Sequence, residues 1–233
     1  MKRINRRSRM VLFTVLMAVM LAAVYSSGIL ISEDMVTGSF LNAKLPPCPA
    51  HPFGTDALGR DLFFRTLKGL SVSITVGLAA SAVSAVIAVL AGAAAAIGSK
   101  RVDAVISWLI DLVMGIPHTI LIILISFALG RGLKGLIAGI AATHWCSLAR
   151  LVRGEVLQLR SERYVAISRK LGKSGGFILM HHMLPHLAPQ FLVGLILMFP
   201  HAILHEASIS FLGFGLPPEQ PAIGIILSES MRC

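Results

Sequence analysis

Long apolar runs separated by short basic loops constrain this chain more than any other feature. Residues 10–31, 70–97, 104–130 and 187–209 are each dominated by Leu, Ile, Val, Ala, Met and Phe. At 1.5 Å of rise per residue, about 20 such residues cross the roughly 30 Å hydrocarbon core of a bilayer. A shorter run at 136–149 is read as a span whose helix continues to Arg150 and Arg153, where long basic stems reach the interface. The 233-residue chain is 55% hydrophobic and only 14% charged, against roughly 45–50% apolar in soluble domains. The reading is an all-α polytopic membrane protein, a bundle of five predicted transmembrane helices.

The net charge of +10 is topological. Lys2, Arg3, Arg6, Arg7 and Arg9 precede the first run, and Arg150, Arg153, Arg160, Arg163, Arg169, Lys170 and Lys173 cluster after the fourth. Basic loops of this kind mark the cytoplasmic side. The pattern argues for a multi-pass protein of a bacterial cytoplasmic (inner) membrane with a cytoplasmic N-terminus, and against nucleic acid as a partner. The first run suits an uncleaved anchor better than a signal peptide, whose apolar stretch is about 7–15 residues. Cys48, Cys146 and Cys233 show no paired spacing for a disulfide framework or thiolate metal site.

Three segments follow: a basic flank and anchor at 1–31, an extracytoplasmic loop at 32–69, and a membrane domain at 70–233 with a cytoplasmic loop at 150–186. Pro46, Pro47 and Pro49 predict an extended outer loop. In the second span Ser73, Gly77, Ser81 and Ala85 recur every fourth residue, as do Ala88, Gly92 and Ala96, giving faces that another helix can approach closely. In the third span, read as one helix over 104–130, Asp111, Met114 and His118 share a face. An ionisable residue there is costly unless paired or facing a cavity.

The segment from Arg163 to Pro185 resembles the cytoplasmic coupling loop of bacterial ABC importer permeases, with Ala166, Ile167 and Ser168 at the E-A-A positions, Gly172 as the glycine, and Met183, Leu184 and Pro185 closing it. The glutamate of that pattern is absent. Gly54-Thr55-Asp56-x-x-Gly59-Arg60-Asp61 resembles the G-T-D-x-x-G-R-D signature of the C-type permease of peptide and nickel importers, and Phe211-Leu-Gly213-x-Gly215 resembles its F-L-G-x-G signature. Glycines permit tight turns, and Asp56, Arg60 and Asp61 can pair to pin an outer helix. These are read as structural, outer-gate residues. The family has six spans, so the sequence reads as lacking a sixth beyond Cys233.

The resemblance implies a permease subunit that pairs with a second homologous permease, two ATPase subunits and an extracytoplasmic substrate-binding protein in the lipid bilayer. This chain is then no enzyme and binds no cofactor; ATP and Mg²⁺ belong to the ATPases. A short helix from about 162 to 171, ended by Gly172, is expected to turn Tyr164, Val165 and Ser168 toward an ATPase groove. Leu184 and Pro185 complete the loop.

For cargo, His201 and His205 are four apart in the fifth span with Glu206 beside them, and imidazoles so placed suit a borderline ion such as Ni²⁺. Pro200-His201-x-x-x-His205 and Thr143-His144-Trp145 resemble the nickel branch, so the expected path is His201, His205, Glu206, His144 and Asp111. Nickel is the preferred cargo, with di- or oligopeptide as the alternative. A bland role, histidines bonded within the bundle, stays open for His201 and His205, and His181, His182 and His186 read as interfacial. No H-E-x-x-H or P-loop occurs, so neither a zincin site nor ATP binding can be placed on this chain. A passive channel or ion-driven carrier predicts paired intramembrane acids or an inverted repeat, for which Asp111 alone is poor support.

Overall fold

The computed structural model describes residues 6–231. Lys2, Arg3 and Cys233 lie outside them. Among the described residues the regular structure is helical apart from two isolated bridge pairs, Cys48 with His51 and Thr55 with Asp61. Four helices are long and apolar enough to cross a membrane, or five if one sharply bent pair counts as a single span. The chain divides into two compact units, Met1–Thr75 with Ser210–Cys233, and Val76–Ile209.

The first unit starts with α1 (Arg6–Leu30), whose apolar residues are largely exposed. The loop expected to be extended instead contains α2 (Glu33–Val36) and a 3₁₀ turn (Phe40–Asn42) before α3 (Leu62–Ile97) begins. Lys68 Nζ donates to the Ile31 carbonyl at 2.8 Å and pairs with Glu33 at 2.8 Å, clipping the end of α1 to the start of α3.

In the second unit, the stripe of small residues on α3 is buried as its spacing predicted, with Ser81, Ala85, Ala88 and Ala96 all at or below 1% exposure. The approach is close enough that a Cβ added at Gly92 would stand 2.6 Å from the Ala149 carbonyl oxygen and 2.9 Å from Val152 Cβ. Those partners lie on α6 (Gly132–Arg160), whose Trp145, Leu148, Val152, Val156 and Leu159 carry the large side of this core. Small residues facing large ones pack two helices closely where hydrophobic exclusion from lipid supplies little.

The third predicted span is two helices, a correction to the single helix expected over 104–130. α4 (Lys100–Gly115) and α5 (His118–Ala128) meet at a bend of 99°. Pro117 has no N–H for the helix ladder, and its ring drives the preceding Ile116 out of the helical region, to φ −97° and ψ 136°. The basic residues after the fourth run, read above as marks of the cytoplasmic side, also tie helices together. α6 continues unbroken to Arg160; Arg153 makes a bidentate pair with Asp103 of α4 at 2.5 and 2.6 Å, and Arg160 donates to the Ala96 carbonyl at the end of α3. A guanidinium on a helix's last carbonyls satisfies groups that the helix cannot.

The unit continues through α7 (Arg163–Lys170), α8 (Gly175–Ile178), a π-helical turn (Leu179–Met183) and α9 (Leu184–Phe211), with Pro189 and Pro200 inside α9. In the first unit, α9 is followed by α10 (Ile223–Ser230).

Candidate functional site

Three of the eight histidines meet in the second unit. His118 is the first residue of α5, set in place by the 99° bend. His144 lies on α6 and His205 on α9, and the ring centroids stand 4.9 Å (His118 to His144), 5.0 Å (His144 to His205) and 5.7 Å (His118 to His205) apart. With Ser147, Leu197, Met198 and His201 they line an open cavity of about 340 Å³. His144 Nδ1 lies 3.0 Å from the Ile140 carbonyl, which only accepts, so Nδ1 bears the hydrogen and Nε2 is left as an acceptor. Its ring is also 3.1 Å from the Thr143 hydroxyl, itself buried and tied to the Gly139 and Ile140 carbonyls.

The structure thus joins His144, His201 and His205, as expected, and adds His118, which the sequence grouped with Asp111. The two other residues expected on this path go elsewhere. Asp111 is paired with Arg150 in a largely exposed contact, and Glu206 is fully buried and is not among the cavity's lining residues. Among the described residues no group of three His, Cys, Asp or Glu side chains is arranged to hold a metal ion.

The second candidate element is α7. Gly172 follows it at φ +78°, a conformation an L side chain rarely adopts, and the chain reverses there. Val165 is fully buried and joins the core with Leu159, Ile178 and Met183, so it points into the bundle rather than outward as expected. Tyr164, Ile167 and Leu171 are exposed, Ile167 at 57% and Leu171 at 73%, and at i, i+3 and i+7 they form one apolar stripe. Ala166 is exposed and Ser168 half-buried. Ser168 Oγ lies 3.2 Å from His182 Nε2, and the Tyr164 ring lies 5.8 Å from that imidazole. His182 belongs to the π turn that leads into Leu184 and Pro185 at the start of α9, so it links α7 to a long helix. The lone helix periodicity of this stretch gave no sign of the link.

In the first unit the Gly54 to Asp61 signature forms a clasp. Gly54 and Gly59 have φ near +73°, and a Cβ at Gly59 would meet the Ser39 carbonyl oxygen at 1.8 Å. Thr55 Oγ1 donates to the Asn42 carbonyl at 2.5 Å and accepts from Leu45 N–H at 2.8 Å. Asp56 accepts from the Leu58 and Arg60 amides, both at 2.9 Å, and from Arg60 Nε at 2.6 Å. Burial works to raise the Asp56 carboxyl, but these donors outweigh it and hold the group below its ordinary 3.8. Asp61 was expected to pair with Arg60 but does not; it accepts from the Phe63 and Phe64 amides at the start of α3 and contacts His51 Nδ1 at 2.7 Å. Arg60 and the buried Arg65 instead share Glu229 of α10, at 2.9 and 2.7 Å. Glu229 was not nominated by the sequence, lying 169 residues from Arg60 with no motif around it. Gly213, at φ +82°, ends α9, and a Cβ at Gly215 would stand 2.4 Å from Ser210 Oγ, so the F-L-G-x-G segment is a tight turn.

Comparison with known proteins adds the following. Residues 84–231 match the family described as binding-protein-dependent transport system inner membrane component. The chain is 36% identical over 198 residues to the oligopeptide transport system permease protein OppC of Bacillus subtilis (strain 168), covering 85% of this chain and 65% of that protein. It is 33% identical over 199 residues to the dipeptide transport system permease protein DppC of the same organism, covering 85% of this chain and 62% of that one. The matched stretch thus spans somewhat under two thirds of each of these relatives.

Proposed function

The chain belongs to the family of binding-protein-dependent transport system inner membrane components, and on that premise we propose that it is a permease subunit of an ATP-driven importer of di- or oligopeptides in a bacterial cytoplasmic membrane. The observation that carries the reading is α7, a short helix with one fully buried anchor, Val165, and an exposed apolar stripe of Tyr164, Ile167 and Leu171. An ATPase subunit seats that stripe in a groove. Movement of the ATPase on nucleotide binding then displaces α7, and Val165 with the Ser168–His182 contact passes the displacement to the bundle and to α9. Such transmission requires contacts that differ between two states. The working assembly holds a second homologous permease, two ATPase subunits that bind ATP and Mg²⁺, and an extracytoplasmic binding protein. The basic N-terminal flank and the basic stretch around α7 support a cytoplasmic position for both. The outer clasp keeps the role of a structural gate element.

Peptide is preferred over nickel because both relatives named above carry oligopeptide or dipeptide transport in their names. Nickel is favoured by the histidines that share the cavity, but among the described residues no group of three His, Cys, Asp or Glu is arranged for an ion. The test is deletion of this chain in its host. Growth on dipeptides as the sole source of a required amino acid fails, while cell nickel at trace supply is unchanged. Loss of nickel with intact dipeptide growth reverses the assignment.

A further inference from the structure

The cavity on α5, α6 and α9 presents four imidazoles and a serine hydroxyl, and no carboxylate, lysine or arginine is among its lining residues. Polar side chains on apolar helices are costly in lipid unless they face a water-filled path or a partner. At about 340 Å³ the space lies at the small end of ligand sites and exceeds what a bare ion occupies. A neutral imidazole carries one donor and one acceptor, the same pair that a peptide unit carries. His144 is held for this use: its Nδ1–H is spent on the Ile140 carbonyl, so Nε2 is free to accept an N–H from a guest. A lining without carboxylate, lysine or arginine suits a conduit that must release its cargo.

We propose that this cavity is a contact station for the main chain of a short peptide, whose amides exchange hydrogen bonds with His118, His144, His201 and His205. The proposal rests on the peptide-importer reading and assigns that cargo a site on this chain. It makes side-chain hydrogen-bonding capacity, rather than metal affinity, the property of these histidines that matters.

The complete importer is reconstituted in proteoliposomes with its binding protein and supplied with tritiated dialanine or radioactive Ni²⁺. His144→Phe with His205→Phe fills the space without hydrogen bonds and lowers dialanine uptake at least about tenfold. His144→Gln with His205→Gln, which keeps a donor and an acceptor, restores most of the uptake. In a Ser147→Cys variant, dialanine delivered by the binding protein slows maleimide labelling of that cysteine, a readout that does not depend on the histidine variants assembling. Wild-type dialanine uptake that neither histidine pair alters, with no protection at position 147, overturns the site while leaving the peptide reading intact. A wild-type importer that carries Ni²⁺ and no dialanine overturns both.

Discussion

The rings of His118 and His144 stand edge to face with centroids 4.9 Å apart, across the tight turn that joins α5 to α6. The contact exists because Pro117 stops α4 and restarts the chain as α5 with His118 at its first position. Replacing Pro117 with Ala restores an N–H and permits a straighter helix. The expected outcome is loss of the His118 contact and a severalfold fall in transport at unchanged membrane content, read by uptake and immunoblot.

Val165 and Ile167 separate anchoring from docking. Val165→Asp places an uncompensated charge in the core, at a cost of about 3–5 kcal/mol, and should remove the subunit from the membrane fraction. Ile167→Asp alters only the exposed stripe and should leave the subunit in place while transport falls. Quantifying subunit and uptake together distinguishes the two; equal loss of subunit in both variants contradicts the assignment of faces.

Glu229 holds two guanidiniums, one of them the buried Arg65. Glu229→Ala should therefore destabilise the subunit by about 2–4 kcal/mol, seen as a lower melting temperature in detergent. Arg65→Met combined with Glu229→Leu should recover much of that loss, since an apolar pair of similar volume has no buried charge to satisfy.

Close helix approach at Gly92 yields a packing prediction. A Cβ there meets backbone at 2.6 Å, and Gly92→Val adds two more carbons, so α3 and α6 must separate. The expected cost is about 1–3 kcal/mol, read as a lowered thermal transition, with a smaller effect for Gly92→Ala.

Asp56 ties stability to acid. Its carboxyl sits below 3.8 in the folded protein, so its contribution is fully present above that value and is lost as pH falls through the lower folded value. As pH falls from 3.8 through the lower folded value, the melting temperature of the wild type should fall more than that of Asp56→Asn. Parallel curves for the two proteins contradict the hydrogen-bonded role of this carboxylate.

The apolar runs of α1, α3 and α9, the small-residue stripe of α3, the turns at Gly54, Gly59 and Gly172, and the short helix before Gly172 were legible in the sequence, because each depends on local pattern: apolar length, four-residue spacing, or a glycine where φ is positive. Partners distant along the chain were not legible. Arg60 chooses Glu229 over the neighbouring Asp61, and Arg153 and Arg160, read as marks of sidedness, tie α6 to α4 and α3. The grouping of Asp111 with His118 assumed a straight helix, and one proline sent the two to different surroundings. His201 and His205 were found from their spacing on one helix, whereas His118 joined them only through tertiary structure.

The most direct test of the account is photo-crosslinking from position 167, with Ile167 replaced by benzoylphenylalanine in the otherwise intact chain in its host membrane. The account predicts one dominant product that joins this chain to a subunit whose tryptic peptides include a G-x-x-x-x-G-K-[ST] nucleotide-binding loop, and whose yield changes when ATP is trapped. Crosslinking only to lipid, or to no such subunit, would contradict the assignment of α7 as the docking element and with it the ATP-driven importer.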